Sequence, residues 1–254
     1  GGAEGADTVW GDIGKQFNVR SNHYYMWVPG ELNAPNGNTE ISAKDMNEGK
    51  FEAAKAAKRN WGYQYSAMKD VRLVRNWAQV KYAEAIFAIG TIVEIGEKMF
   101  PNQRNDTRTA IAPSVAGGTG YAVGMAINHG KPVYVFDQNR NSWYEWNSQT
   151  KTFDKLKDTP TLTNNFAGIG TRKINPSGVQ AVKDIYAKTF NGKLTGSKST
   201  TNIYYNTSEN AELSNLAVRP FILRGKEFQS VEHAYQSLKS GNLEHKVYDK
   251  DWSK

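Results

Sequence analysis

Hydrophobic residues recur along this chain at two spacings. Helical spacing predicts helices over 47–59, over 68–82 and from Ala122 to Gly130. It predicts two more, one that begins at Asp7 or Thr8 and one that begins at residue 175. Continuous apolar runs and strict alternation predict strands over 24–28, 85–90, 133–136 and 142–146. Because the predicted strands and helices alternate, we expect an α/β fold with a parallel sheet flanked by helices.

Three glycine-rich stretches interrupt this pattern, and we predict each to be a loop: GGAEGAD over 1–7, VAGGTG over 115–120 and NNFAGIGTRKI over 164–174. Glycines at the entrance of a helix let a ligand approach free N–H groups, which together with the helix dipole favour a phosphate. The alternative is a tight turn that binds nothing. An α/β fold places a strand before the first loop, and we expect that this first strand is missing from the sequence.

The segment over 91–114, TIVEIGEKMFPNQRNDTRTAIAPS, is too long for a plain strand-to-helix connection. Such connections take about 2–6 residues, so we interpret this segment as an insertion. Its apolar start predicts a short hairpin. Its polar stretch over 102–108 is predicted to lie over the site.

Composition narrows the class of protein. The 254 residues are 39% hydrophobic and 22% charged, which is typical of a soluble globular protein with one large or two modest domains. No run approaches the roughly 20 apolar residues of a membrane span, so we predict a cytoplasmic protein without a membrane partner. The chain has no cysteine and four scattered histidines, which predicts neither a metal site nor a disulfide. We predict no cofactor.

The net charge of +7 attracts anions. The basic residues are spread out, however, with no run of five or more and no alternation with aromatic residues. A small phosphorylated ligand therefore fits the charge at least as well as a nucleic acid.

Three segments together resemble the SLOG superfamily of Rossmann-like nucleotide-binding domains: GGAEGAD, RNWAQVKYAEAIFAIG and VAGGTGYAVGMAINHGKPVYVFD. This superfamily includes the LOG enzymes, the DNA-processing protein DprA and sensor domains of antiphage effectors, and PNGNTEIS with FAGIGTR resembles versions carried by phages. The resemblance implies that two glycine loops face each other across the ends of adjacent strands and hold phosphate. The residues that it assigns to this task are Gly2, Gly5, Gly117, Gly118, Thr119 and Gly120.

Five more residues are candidates for the same site. Arg172 lies between glycines and has the donor geometry that suits phosphate oxygens. Arg75 and Asn76 either turn towards the ligand or belong to a solvated helix face. Tyr121 either stacks on a base or fills the gap left by a changed motif. Asp137, at the end of a strand, either binds a ribose hydroxyl or begins a loop.

Three positions depart from the LOG pattern Pro-Gly-Gly-x-Gly-Thr-x-x-Glu. Ala116 stands for the proline, Tyr121 for the threonine and Gly124 for the glutamate that takes part in cleaving a nucleoside monophosphate. A glycine can neither transfer a proton nor stabilise positive charge on a sugar ring. We therefore expect binding to persist without catalysis by the LOG route.

The tail contains a predicted Tyr-rich strand, Glu-x-x-x-Leu-Ser-Asn, a predicted hairpin and Ser-Val-Glu-His-Ala-Tyr-Gln at the start of a predicted helix. Together these motifs resemble the beginning of a NADAR domain, a family that handles NAD and ADP-ribose and cleaves N-glycosidic bonds. The resemblance covers residues 202–254 and implies a catalytic role for Glu232, near Ser214, Asn215 and His233. The alternative is that Glu232 only stabilises its helix. This family needs about three times that length, so we expect an incomplete active site. The predicted domains are 1–190, SLOG-like; 191–201, a linker; and 202–254, the start of a second α+β domain.

These resemblances predict three functions. The first is a phage-type protein in which the SLOG-like domain binds a small nucleotide of the ADP-ribose or NAD class and the completed NADAR-like part hydrolyses an N-glycosidic bond. ADP-ribosylated nucleic acid is then a candidate partner. The second is a sponge that sequesters a cyclic ADP-ribose-type defence signal without chemistry. The third is DNA binding, as in DprA. A homo-oligomer is an open alternative, because SLOG proteins often dimerise through surface helices.

Overall fold

The computed structural model describes residues 2–28, 31–32, 38–63, 66–101, 103–190, 220–223 and 226–240. The chain divides into two compact units, unit 1 over Gly1–Gly196 and unit 2 over Ser197–Lys254. The predicted linker over 191–201 lies outside the described residues.

Unit 1 has six α-helices in its described part, together with a 3₁₀ turn at Ser66–Met68. The helices are α1 (Ala6–Gln16), α2 (Ala43–Trp61), α3 (Val71–Val74), α4 (Asn76–Lys81), α5 (Thr119–Asn128) and α6 (Pro176–Thr189). Its strands are β1 (Tyr24–Tyr25), β2 (Trp27–Val28), β3 (Glu31–Leu32), β4 (Thr39–Glu40), β5 (Ala85–Gly90), β6 (Ile92–Val93), β7 (Ser114–Val115), β8 (Val133–Asp137), β9 (Ser142–Asn147), β10 (Thr152–Lys155) and β11 (Phe166–Gly170).

The central sheet has five strands in the order β10-β9-β8-β5-β11. The strands β8, β5 and β11 run parallel, whereas β9 and β10 are antiparallel to their neighbours. The sheet is thus mixed rather than all parallel. The turn over 138–141 is too short for the crossover that a parallel β9 would need.

Helices cover both faces of this sheet. Every residue of β5 is buried, and its alternate side chains enter two separate cores. Ile86 and Ala88 pack with α2, α4 and α5, whereas Ala85, Phe87 and Ile89 pack with α1 and α6. Unit 1 is therefore an α/β fold of the Rossmann-like type, as the sequence predicts.

Several predicted boundaries move because of capping. Helix α2 begins before residue 47 because the Ser42 hydroxyl accepts from the Asp45 N–H at 3.1 Å. The single helix predicted over 68–82 is wrong: a 3₁₀ turn precedes α3, whose own N-cap is Asp70, and α4 follows. Helix α1 has Gly5 at its N-cap instead of Asp7 or Thr8, and the Thr8 hydroxyl donates to the Ala3 carbonyl at 2.8 Å.

The third glycine stretch contains a strand where a loop is predicted. Residues 166–170 form β11, the edge strand of the central sheet next to β5. Its glycines permit close packing: a Cβ on Gly168 would lie 2.4 Å from the Trp10 indole, and one on Gly170 would lie 2.4 Å from the Ile89 carbonyl oxygen.

Unit 2 has a small described part. It consists of an antiparallel hairpin, β12 (Phe221–Leu223) with β13 (Lys226–Phe228), and of helix α7 (Val231–Ser240). The hairpin and the helix stand where the sequence predicts them. The predicted Tyr-rich strand lies outside the described residues, as do Ser214 and Asn215.

Candidate functional site

A cleft of about 530 Å³ opens at the carboxyl ends of β5 and β11. Open α/β sheets bind ligands at this edge, because the loops that leave parallel strands meet there. The cleft brings together residues from α4, from the turn before α5 and from the segment after β11. The sequence-predicted residues that line it are Arg75, Asn76, Gly117, Gly118, Thr119, Tyr121 and Arg172.

The turn before α5 presents unoccupied donors to this cleft. Within the described residues, no protein group accepts from the N–H groups of Gly118 and Thr119, whereas the Gly117 N–H donates to the Met99 carbonyl at 2.7 Å. Gly117 has a φ of +73°, and a Cβ on Gly117 or Gly118 would meet nothing within 4 Å. The first N–H groups of a helix lack partners within the helix and attract anions. The turn therefore offers backbone donors in open space.

Gly120 and Gly124, further along α5, pack closely against other protein groups. A Cβ on Gly120 would lie 2.1 Å from the Val115 carbonyl oxygen, and the Gly120 carbonyl accepts from the Asn60 side chain at 2.8 Å. A Cβ on Gly124 would lie 3.1 Å from the Cβ of Ala56. Gly124, which the LOG resemblance aligns with the motif glutamate, is thus packed in the contact between α5 and α2 and is not among the residues that line the cleft.

The first glycine loop reaches the cleft through other residues than those predicted. Ala3, Glu4 and Asp7 line the cleft, whereas Gly2 and Gly5 are not among its lining residues. A Cβ on Gly5 would lie 2.5 Å from the Arg172 Cα, so this glycine allows the loop to pack against the end of β11. Gly2 is buried, with a φ of +73°.

Positive side chains outnumber negative ones around the cleft. The cations are Arg72, Arg75, Arg108, Arg172 and Lys173, and the anions are Glu4, Asp7 and Asp70. This imbalance favours an anionic ligand.

Arg75 and Arg172 differ in burial. Arg75 is 6% exposed, and its guanidinium donates to the Tyr24 carbonyl at 3.5 Å. Burial lowers the pKa of Arg75, the Asp7 carboxylate opposes this effect and the Arg172 guanidinium adds to it. Arg172 is exposed.

Asn76 is half-buried, and its side chain donates to the Gly118 carbonyl at 3.5 Å. Both residues named as ambiguous in the sequence, Arg75 and Asn76, therefore lie at the cleft.

Tyr121 lies in the first turn of α5, where its ring is 1% exposed and meets the Trp61 ring edge-on at 4.9 Å. Burial raises the pKa of its hydroxyl to about 12, although the nearby Arg108 guanidinium acts in the opposite direction. A buried ring fills space between elements and leaves little face for a base. The packing interpretation of Tyr121 agrees with this geometry.

Phe100, Gln103 and Arg108 line the cleft without having been singled out in the sequence. All three lie in the insertion. The sequence predicts that the insertion lies over the site but does not indicate which of its residues reach the cleft. Arg108 stands in a stretch of mixed polar residues, and nothing in the neighbouring sequence indicates which way its side chain points.

Asp137 has a structural role. It accepts from the backbone N–H groups of Ile92, Asn139 and Arg140, so it holds the loops after β5 and β8.

Glu232 is the second residue of α7. Its side chain lies outside the described part of unit 2, as does that of His233. Acidic residues in a first helical turn interact favourably with the helix dipole, so both the catalytic and the structural interpretation stay open.

No group of three or more metal-binding side chains is assembled among the described residues. None of the described helices is long and apolar enough to cross a membrane. No protein-family model, no curated protein and no solved structure matches this chain. The resemblances to SLOG and NADAR domains, and a location in the cytoplasm, therefore stay predictions.

Proposed function

We propose that unit 1 binds a nucleotide of the NAD or ADP-ribose class, with one phosphate on the N–H groups of Gly118 and Thr119. The observation that supports this most is the pair of unpartnered donors at the start of α5, where Gly118 is exposed and has open space around its Cα. Helix N-termini of this kind bind phosphate through aligned N–H groups and the helix dipole.

The dimensions and charge of the cleft support the same proposal. Its volume of about 530 Å³ lies within the usual range for small-molecule sites, and its cations outnumber its anions. The resemblance to SLOG domains is the reason to propose a nucleotide as the ligand. The resemblance of the tail to NADAR domains is the reason to propose the ADP-ribose class.

Calorimetric titration with ADP-ribose and NAD tests this proposal. In the Gly118→Asp variant a carboxylate stands where the phosphate would bind, and the repulsion costs on the order of several kcal/mol in a partly dry site. We expect affinity to fall by about a hundredfold or more. The fold should tolerate the change, because Gly118 has a φ of −62° and open space around its Cα.

Asn128→Asp is the matched control, because it adds the same charge at the exposed far end of the same helix. It should keep wild-type affinity. Full affinity in Gly118→Asp would place the ligand elsewhere and contradict the proposal.

We propose two alternatives for what happens to the bound nucleotide. In the first, unit 2 belongs to an N-glycosidase in which Glu232 acts on the glycosidic bond. In the second, the protein sequesters its ligand unchanged, which Gly124 favours because it stands where the LOG pattern has its glutamate.

Incubation of the full-length protein with NAD and with ADP-ribosylated guanosine separates the two forms. Cleavage by the wild type that Glu232→Gln abolishes supports the N-glycosidase. Ligand recovered intact after heat denaturation supports sequestration. A DNA-binding function predicts instead an affinity for DNA that falls steeply with salt.

A further inference from the structure

The insertion folds into an arm over the turn before α5. We define the arm as residues 92–101 and 103–115, closed at its base by the antiparallel pair of β6 and β7. Higher up, Lys98 bridges to Thr109, and the Met99 N–H donates to the Arg108 carbonyl at 2.9 Å. Because the Met99 carbonyl accepts from the Gly117 N–H, the arm is fixed directly to the turn that presents the free donors.

Arg108 is the cation that the arm brings to the cleft. Its guanidinium lies 4.0 Å from the centroid of the Phe100 ring and 5.6 Å from that of Trp61. Its charge also acts on the Tyr121 hydroxyl, in the first turn of α5, and lowers the pKa of that group against the larger effect of burial. Stacking on aromatic rings orients a guanidinium without using its N–H donors. Arg108 is thus held next to the helix start whose N–H groups are free.

Asp106 neutralises this cation. Its carboxylate accepts from the Arg108 Nε at 2.9 and 3.0 Å and from the Nη2. The Asp106 carboxylate is 8% exposed, whereas the Arg108 side chain is 31% exposed and lines the cleft. The pair therefore presents its positive partner to the ligand and keeps its negative partner covered.

We propose that Arg108 binds the second phosphate of a pyrophosphate-containing nucleotide, in competition with Asp106. This inference rests on the proposed function, which places the first phosphate at Gly118 and Thr119. A guanidinium beside that position can donate two parallel hydrogen bonds to a neighbouring phosphoryl group. Arg108 thereby selects a nucleoside diphosphate or its ester over a monophosphate.

Calorimetry with ADP and AMP tests this selection. A charge-assisted hydrogen bond contributes enough to expect that the wild type binds ADP about tenfold more tightly than AMP. Arg108→Gln should lose that preference and keep its AMP affinity within about threefold. Arg108→Lys, which retains the charge without the planar fork, should keep part of the preference. Asp106→Asn should tighten ADP binding, because it removes the competing carboxylate.

Arg104→Gln is the matched control: it removes a cation of the same arm that is exposed and outside the cleft lining, and it should change neither affinity. A full ADP preference in Arg108→Gln would overturn the inference. If Gly118→Asp still abolishes binding in that case, the proposed function stands without it. A wild type that binds none of ADP, AMP, ADP-ribose and NAD overturns both, and melting temperatures without ligand identify any variant that fails to fold.

Discussion

Two pairs of glycines lie in unit 1 near the carboxyl edge of its sheet, and they differ in what surrounds them. A Cβ on Gly117 or Gly118 would meet nothing within 4 Å, whereas one on Gly168 or Gly170 would lie 2.4 Å from another group. The first pair leaves space that a ligand can enter. The second pair allows Trp10 and Ile89 to approach the backbone of β11. A glycine-rich stretch therefore has two physical meanings, and only the surroundings of each glycine distinguish them.

Gly124→Glu should have the largest effect among changes that test this difference. The variant restores the glutamate of the LOG pattern but puts a carboxylate against Ala56 and Asn60, between α2 and α5. Overpacking together with a buried charge predicts a loss of about 4 kcal/mol in the free energy of unfolding. Chemical denaturation measures it. A stable variant that cleaves nucleoside monophosphates would show that this position reaches the cleft after all.

Gly168→Ala should come next. Its methyl group would lie 2.4 Å from the Trp10 indole, whose Nε1–H donates to the Ile169 carbonyl at 3.2 Å. Displacement of the indole predicts a loss of about 3 kcal/mol in stability. Denaturation of wild type and variant provides the test, and a change below about 0.5 kcal/mol would mean that the close contact relaxes without cost.

Gly117→Ala should be milder. Its surroundings are open, but its φ of +73° is unfavourable for a residue with a Cβ. The backbone strain predicts a loss of about 1 kcal/mol. The change in the free energy of unfolding then reports backbone strain alone, because the added methyl group displaces no neighbour. A stability equal to that of the wild type would indicate that the turn adapts.

Gly118→Ala should have the smallest effect on stability. Its φ of −62° and open surroundings accept a methyl group, so we expect a change within about 0.5 kcal/mol. The methyl group should weaken ADP-ribose binding less than the carboxylate of Gly118→Asp does. A loss of stability as large as that of Gly168→Ala would remove the distinction between the two pairs of glycines.

The sequence predicts elements well where the signal is local. The buried run of β5 and the start of α6, with the Asn175 side chain accepting from the Gly178 N–H at 2.8 Å, stand as expected. The strand β11 escapes this reasoning, because Gly168 accommodates the indole of Trp10, which contacts it in space but is far from it in the sequence. The single helix expected over 68–82 is divided because Asp70 caps a new start.

The candidate site is predicted to a similar degree. The glycine turn, Arg75, Asn76 and Arg172 are found from motifs and lie at one cleft. Arg108 is not found, because only the pairing of β6 with β7 and the stacking on Phe100 bring it there. Residues that reach a site through an inserted arm have no fixed spacing from its motifs.

The most direct test of the account observes the N–H groups themselves. Amide resonances of ¹⁵N-labelled protein, recorded during titration with ADP-ribose, report the environment of each glycine separately. We expect the Gly118 and Thr119 amides to shift strongly on saturation, while the Gly168 amide stays nearly unchanged. Saturable binding that leaves the Gly118 and Thr119 amides unmoved would contradict the central claim that the turn before α5 binds phosphate.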